Sequence, residues 1–208
     1  MLRRRPPIGV ILAGGLGRRI GGSKAVVQLQ SKPLILYPLA AVQTVLRDVA
    51  VIAKADTKLP SLPGVTVWVE PDDPRHPVMG IVHALALAEG RGVVVCAVDL
   101  PFVTPELIHR LATADAGRSP AVVAANGAET QPLLGLYGPR AIEPLQRCGY
   151  ESSMRELVAS IGAQRLDVGD PELLFNINSP EDVLHAGAIL DRRARAQTDP
   201  ARTRPAPF

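Results

Sequence analysis

The sequence predicts an α/β domain built around a mainly parallel β-sheet. Short apolar runs rich in Val, Ile and Ala alternate along the chain with longer segments that suit helices, as in successive βα units. The runs stop at Gly, Pro or charged residues, as buried strands do. A chain of 208 residues with 47% hydrophobic residues is long enough to enclose a core of its own.

Two of the predicted strands are apolar throughout, which is typical of strands covered on both faces. One comprises residues 8–13 and stops at Gly14-Gly15, and the other comprises residues 93–97. The remaining strands are β-branched or small apolar runs bounded by turn-forming or charged residues. In chain order, we predict strands at residues 8–13, 49–53, 65–69, 93–97, 121–125 and 133–137.

Two predicted helices have clear start signals. Thr104 is followed by Pro105, and Ser179 is followed by Pro180 and two acidic residues. Ser and Thr cap helix N-termini, Pro suits the first helical position, and acids there oppose the helix dipole favourably. Further helices are predicted from longer apolar segments at residues 34–46, 80–88, 141–147 and 153–161.

The chain is predicted to form one folded domain over residues 8–190. Residues 1–7 form a short basic arm ahead of it. Residues 191–208 are rich in Arg, Ala and Pro without apolar periodicity, which predicts a disordered tail. No internal repeat is visible.

The basic net charge of +3 comes from the two ends of the chain. Eight of the 23 basic residues lie in the arm and tail with two of the 20 acidic ones, so the body is acidic by about 3 charges. We therefore expect no nucleic-acid partner. Cys96 and Cys148 form no metal or disulfide pattern, and no apolar stretch reaches the ~20 residues of a membrane span. We expect a cytoplasmic protein without membrane attachment.

The most informative segment is the glycine-rich stretch after the first strand, residues 12–24, with the sequence LAGGLGRRIGGSK. Glycines allow backbone N–H groups to converge on an anion. Arg18, Arg19 and Lys24 add positive charge of the kind that binds phosphate. A flexible surface loop with solvated arginines is the alternative, but the segment follows a buried strand directly, which favours a phosphate site.

Two familiar phosphate loops do not fit this segment. A Walker A loop would place Lys-Ser or Lys-Thr after Gly22, where this chain has Ser23-Lys24. A dinucleotide fingerprint would place its third glycine at Ile20. The segment therefore predicts a triphosphate site of another type.

Polar side chains follow two further predicted elements. Ligands in open α/β sheets bind at the carboxyl ends of the strands. Asp99 follows residues 93–97 and is placed to bind Mg²⁺, although an aspartate that stabilises a turn is the alternative. Asn176 and Asn178 alternate with apolar residues, so their amides would lie on one side of an extended segment, unless they only form a turn before Ser179.

Three segments together resemble one known family. Residues 12–24 resemble the Leu-Ala-Gly-Gly-x-x-x-Arg-(Met/Ile)-Gly…Lys signature of sugar-nucleotide and cofactor nucleotidyltransferases. Residues 99–102, Asp-Leu-Pro-Phe, resemble its magnesium motif, and residues 176–182, NINSPED, resemble its Asn-x-Asn element. Together they are most similar to the molybdenum cofactor guanylyltransferases. The resemblance covers about residues 8–190 and implies a three-layer, Rossmann-like nucleotidyltransferase fold with a mainly parallel sheet.

The resemblance also implies roles for individual residues. It implies catalytic roles for Arg19, Lys24 and Asp99, and makes Asp99 the ligand of a Mg²⁺ cofactor. It implies acceptor binding by Gln131, Asn176 and Asn178. Glu70 and Asp72 are alternative candidates for an acidic nucleotide contact, and a solvated acidic turn is the other interpretation. The implied nucleotide-binding residues are Leu12, Ala13, Gly14, Gly15, Lys24, Glu70, Asp72, Gly80 and Asp99.

The implied reaction is the transfer of GMP from GTP to the terminal phosphate of molybdopterin, or of its molybdenum form, with release of pyrophosphate. Other molybdenum cofactor synthesis proteins are then expected as partners that deliver the acceptor. Two alternatives stay open from the sequence. One is the same chemistry with another base or acceptor, such as CTP, a sugar phosphate or a cobalamin precursor. The other is a non-catalytic nucleotide-binding module.

Overall fold

The computed structural model describes residues 5–15, 17–148 and 150–198 of the chain. The strands are β1 (Ile8–Leu12), β2 (Gln28–Leu29), β3 (Lys32–Pro33), β4 (Val49–Ala53), β5 (Thr66–Val69), β6 (Val93–Ala97), β7 (Ala121–Asn126), β8 (Glu129–Tyr137) and β9 (Gln164–Asp167). The α-helices are α1 (Leu36–Val45), α2 (Pro77–Leu87), α3 (Pro105–Ala112), α4 (Ile142–Arg147), α5 (Met154–Ser160) and α6 (Pro180–Thr198).

Seven strands form one sheet in the order β5-β4-β1-β6-β8-β7-β9. Strand β8 is antiparallel to both of its neighbours, and every other neighbouring pair in this sheet is parallel. The carboxyl ends of β5, β4, β1 and β6 therefore meet at one edge. The short strands β2 and β3 form a separate antiparallel hairpin.

Helices cover both faces of the sheet, because the side chains of its central strand alternate between two cores. In β1, Ile11 packs with α1 and α3 on one face. Val10 packs on the other face with α2, α4 and α5. This arrangement confirms the predicted three-layer α/β fold with its mainly parallel sheet. A third apolar cluster joins the β2–β3 hairpin to α6 through Leu29, Phe102 and Ile189.

Three of the helices begin at residues whose side chains cap the helix N-terminus. Thr104 accepts a hydrogen bond from Leu107 N, as its position before Pro105 predicts. Ser153 and Glu156 form a capping box at the start of α5. Helix α2 begins before the predicted residue 80, because the His76 side chain accepts a hydrogen bond from Val78 N and Pro77 takes the first helical position.

The prediction of a disordered tail was wrong for residues 191–198, because α6 continues to Thr198. Asp191 accepts a hydrogen bond from Gln30. Arg193 pairs with Glu172, and its guanidinium lies 4.7 Å from the centre of the Phe102 ring. These contacts hold the arginines against the body of the domain. Residues 199–208 of the predicted tail, and residues 1–4 of the predicted arm, lie outside the described residues.

Strand β9 and the β2–β3 hairpin were not predicted, and β8 begins at Glu129 rather than at residue 133. Each unpredicted strand is short or polar, so it has no apolar pattern of its own. Among the described residues, no helix combines the length and apolar character needed to cross a membrane.

Candidate active site

The glycine-rich segment forms a folded loop beyond the carboxyl end of β1. Gly17 and Gly21 have positive φ angles of 50° and 84° and flank a single 3₁₀ turn, Arg18–Ile20. The carbonyl of Gly17 accepts hydrogen bonds from the N–H groups of Ile20 and Gly22. A second 3₁₀ turn, Lys24–Val26, returns the chain towards the sheet edge. The glycines therefore make the loop compact and bring Lys24 back to the strand ends.

Lys24 connects two of the predicted polar elements. Its Nζ donates to Asp99 Oδ2 and to Asn178 Oδ1, each at 2.6 Å. The side chains of Lys24 and Asp99 are only 13% and 16% exposed, so this ion pair is poorly screened by solvent. The backbone adds a link, since Ile177 N donates to the carbonyl of Asp99 at 3.0 Å. The fold thus joins the predicted phosphate, metal and acceptor elements at one point.

Gln131 and Asn176 form a second polar contact beside this cluster. Gln131 Nε2 donates to Asn176 Oδ1 at 3.0 Å, and Asn176 Nδ2 donates to the Leu174 carbonyl at 2.9 Å. Both amides are half-buried. Asn176 is held by Gln131, whereas Asn178 is exposed and contacts Lys24.

A buried ion pair lies at the ends of β4 and β5. Lys54 Nζ is 3.5 Å from Glu70 Oε1, and the two side chains are 4% and 7% exposed. Lys54 Nζ also donates to the Pro71 carbonyl. Burial raises the pKa of the Glu70 carboxyl above its ordinary value, and the neighbouring Lys54 ammonium opposes this rise. Sequence reasoning missed Lys54, although it directly follows the predicted strand at residues 49–53.

One cavity of about 210 Å³ opens along this edge of the sheet. Its lining includes Leu12, Gly14, Gly15, Lys24, Glu70, Gly80 and Asp99 among the residues implied to bind the nucleotide. It also includes Lys54, Arg75, His76 and Pro77, which were not predicted. The only sequence signal for His76 is its position just before Pro77 at the start of α2, where its ring caps the helix.

Several residues to which the family resemblance gives a role lie outside the lining of this cavity. Ala13 is fully buried below the loop. Asp72 is exposed, so of the two acidic candidates only Glu70 faces the cavity. Arg19 is exposed on the loop, and its side chain forms no ion pair with any described residue. Gln131, Asn176 and Asn178 lie beside the cavity rather than in its lining.

A larger cavity, of about 750 Å³, lies at the opposite edge of the sheet against residues 5–7 and 89–92. None of the predicted site residues lines it. The smaller cavity is the candidate active site, because it combines the glycine loop, two lysines and two acids at the carboxyl ends of the strands.

Asp99 provides an orphaned ligand atom. Its Oδ1 is buried and has no hydrogen-bond partner, while Oδ2 pairs with Lys24. Within the described ranges, no group of three or more His, Cys, Asp or Glu side chains is clustered as a metal site. Mg²⁺ is commonly bound by one or two carboxylates, with substrate phosphates and water completing its coordination. The residues therefore fit a nucleotide-bound Mg²⁺ held by Asp99, and do not form an all-protein metal site.

We expect Gly17→Ala to weaken the predicted binding of a triphosphate by about tenfold or more, measured by calorimetric titration. A Cβ on Gly17 would lie 1.9 Å from the Gly22 carbonyl oxygen, and the residue has φ of +50°. Relieving both problems requires the loop to change shape, at a cost of about 1–3 kcal/mol. Gly21→Ala is the matched control, since it shares a positive φ but has nothing within 4 Å of its Cβ position. Equal losses in the two variants would contradict the proposed clash.

Comparison with known proteins agrees with this geometry. Residues 9–167 match the model of the MobA-like NTP transferase domain. A molybdenum cofactor guanylyltransferase from Rhodobacter capsulatus is 35% identical over 195 residues, covering 89% of this chain and 97% of that protein. A molybdenum cofactor guanylyltransferase from Cereibacter sphaeroides is 31% identical over 192 residues, covering 89% of this chain and 98% of that protein.

A solved structure is similar as well. The crystal structure of molybdopterin-guanine dinucleotide biosynthesis protein A from Archaeoglobus fulgidus superposes with a TM-score of 0.73 and 26% sequence identity. The match covers 89% of this chain and 99% of that one. The sequence match spans β1 to β9, and it includes the glycine loop, Glu70 and Asp99. The chain therefore belongs to the MobA-like NTP transferase family and is a nucleotidyltransferase.

Proposed function

We propose that this protein transfers GMP from GTP to the terminal phosphate of molybdopterin, or of its molybdenum-bearing form, in the cytoplasm. The observation that supports this most directly is Lys24, which ends the glycine-rich segment and contacts both Asp99 and Asn178. A cation at this point can face both the triphosphate and the acceptor phosphate. The guanylyltransferase names of the relatives support the choice of GTP and molybdopterin.

The proposed reaction is an in-line displacement. A phosphate oxygen of the acceptor forms a bond to the α-phosphorus of GTP, the bond from that phosphorus to the α–β bridging oxygen breaks, and pyrophosphate leaves. The acceptor phosphate is already ionised near pH 7, so no side-chain nucleophile is required. Catalysis then depends on positioning and charge neutralisation, with the loop N–H groups and Lys24 holding the triphosphate.

Other residues have supporting roles in this proposal. Arg19, exposed on the loop, is free to contact the triphosphate. Asn178, with Gln131 and Asn176 beside it, binds the acceptor. Asp99, whose Oδ1 is buried without a hydrogen-bond partner, would hold Mg²⁺, and the ion would supply neutralisation of the negative charge on the triphosphate. Other molybdenum cofactor synthesis proteins supply the acceptor.

A pyrophosphate-release assay tests the proposal. The full chain is mixed with Mg²⁺, molybdopterin or its molybdenum form, and GTP, ATP, CTP or UTP in parallel, and reactions without acceptor provide the background. Acceptor-dependent release with GTP alone is the expected result. Release with CTP in place of GTP would move the protein to a cytidylyl transfer. GTP binding without release for any acceptor would favour a non-catalytic nucleotide-binding module.

A further inference from the structure

The last helix, α6, packs against the two loops that carry polar side chains of the candidate active site. Residues 98–104 form the aspartate loop, which carries Asp99 between β6 and α3. Residues 168–179 form the asparagine loop, which carries Asn178 between β9 and α6. A backbone hydrogen bond joins the two loops, from Ile177 N to the carbonyl of Asp99 at 3.0 Å. The relative position of the loops therefore determines how Asp99 and Asn178 face each other.

Arg193 of α6 contacts both loops with one side chain. Its Nη2 donates to Glu172 Oε2 at 3.1 Å and lies 3.7 Å from Asp170 Oδ2, and both acids belong to the asparagine loop. Its guanidinium lies over the ring of Phe102 in the aspartate loop, 4.7 Å from the ring centre, where the electron-rich face attracts a cation. Arg193 is half-buried, so solvent screens these contacts less than those of a fully exposed arginine. This side chain therefore links one loop to the other.

Aromatic and apolar contacts extend this link. The Phe102 ring lies 5.9 Å from the ring of Phe175, which belongs to the asparagine loop. Phe175 in turn stacks on His185 of α6, with 5.3 Å between the ring centroids. Ile177 is fully buried in the same apolar cluster as Phe102, together with Ile189 of α6. These contacts make the packing of both loops depend on α6.

We propose that Arg193 is a positioning residue for the transfer reaction, because it fixes the separation of Asp99 and Asn178. Lys24 Nζ lies 2.6 Å from an oxygen of each side chain, and a hydrogen bond is lost when its length exceeds about 3.5 Å. A shift of about 1 Å between the loops would therefore break one of these two contacts. The inference rests on the proposed function, in which Asn178 faces the acceptor and Asp99 faces the nucleotide.

The effect of Arg193 is expected on the acceptor rather than on GTP binding. The triphosphate is proposed to lie on the glycine loop, whereas the contacts of Arg193 lie in the aspartate and asparagine loops. In-line transfer requires the reacting atoms at about 3–3.5 Å, and misplacement by about 1 Å can lower the rate about 100-fold. An arginine that only stabilised the fold would raise the unfolding temperature and leave the rate constants of the folded protein unchanged.

Arg193→Met tests this role in the full-length chain, because methionine can still pack on Phe102 but carries no charge. At saturating GTP and Mg²⁺, we expect kcat/KM for molybdopterin in pyrophosphate release to fall by about 10- to 100-fold. The Kd for GTP, measured by calorimetric titration, should stay nearly unchanged. Arg193→Lys should recover part of the loss, since its ammonium group can still pair with Glu172 and approach the ring.

Two control variants separate positioning from stability. Arg91→Met removes a mostly buried arginine that pairs with Asp48 at 2.7 Å, at the opposite edge of the sheet. It should lower the unfolding temperature at least as far as Arg193→Met does, without changing kcat/KM for the acceptor. Asp191→Ala removes a contact between α6 and Gln30 of the β2–β3 hairpin, and it should also leave kcat/KM for the acceptor unchanged.

Amide hydrogen exchange tests the link between the loops without any substrate. The Ile177 amide donates to the carbonyl of Asp99 in the other loop, so it reports directly on their separation. It should exchange about tenfold faster in Arg193→Met than in the unmodified protein. Amides of the central strand β1 should keep their exchange rates, since a local change in the loops does not open the sheet.

Three results would overturn the inference. The first is an unchanged exchange rate for Ile177 in Arg193→Met, and the second is an unchanged kcat/KM for the acceptor. The third is a loss of kcat/KM that Arg91→Met reproduces or that an equal loss of GTP affinity accompanies, because Arg193 would then be structural only. If the unmodified protein releases no pyrophosphate with any acceptor, the proposed function itself fails, and the exchange rate of Ile177 still decides whether Arg193 links the two loops.

Discussion

Replacing Asp99 with asparagine is expected to lower kcat/KM for pyrophosphate release from GTP by about 100-fold or more. Asn keeps the size of the side chain and can still accept a hydrogen bond from Lys24, but it removes the negative charge. The orphaned Oδ1 atom would no longer attract Mg²⁺, and charge on the triphosphate would be less well neutralised. Loss of one electrostatic contact of this kind typically costs 10²–10³ in rate.

The measurement is steady-state pyrophosphate release at several fixed Mg²⁺ concentrations. We expect the variant to need more Mg²⁺ and to remain slow at saturation. Asp115→Asn is the matched control, since this exposed aspartate lies at the opposite edge of the sheet, in the lining of the larger cavity. An unchanged kcat/KM for the Asp99→Asn variant would show that Asp99 has no role in the reaction. Thermal unfolding of both variants separates loss of activity from loss of fold.

Most of the candidate site could be predicted because its parts lie next to strong local signals. The glycine loop and Asp99 each follow a wholly apolar strand, and the carboxyl ends of parallel strands lie at one edge. Lys54 follows a strand in the same way, but a single lysine after an apolar run looks like any solvated charge. Only the structure reveals that its Nζ is buried against Glu70.

Contacts between segments that are distant in the sequence could not be predicted from the sequence alone. Lys24 and Asn178 are 154 residues apart, and no local pattern indicates that their side chains meet. The end of α6 presents the same difficulty. Its arginines suggest a solvated tail, yet Arg193 packs on Phe102 and pairs with Glu172, which are remote in sequence. The amino-acid composition of α6 shows that the helix end is basic, but it does not show which part of the domain those arginines contact.

Replacing Lys24 with methionine is expected to lower kcat/KM for GTP by roughly 10²–10³-fold and to raise KM for the acceptor. Methionine keeps an unbranched stem but removes the charge that faces the triphosphate. It also removes the hydrogen bond that holds Asn178 beside Asp99. Both sides of the reaction should be affected, whereas loss of a purely nucleotide-binding group would leave the acceptor KM unchanged.

The structure also predicts how Lys24→Met differs from Asp99→Asn. The methionine variant leaves the Asp99 carboxylate half-buried with neither Oδ1 nor Oδ2 paired, so it should unfold at a lower temperature than the asparagine variant. The double variant should recover part of that stability without recovering activity, since it removes the uncompensated charge and leaves the site without either group. If both single variants unfolded at the same temperature as the unmodified protein, the Lys24–Asp99 pair would contribute nothing to the stability of the nucleotide-free protein.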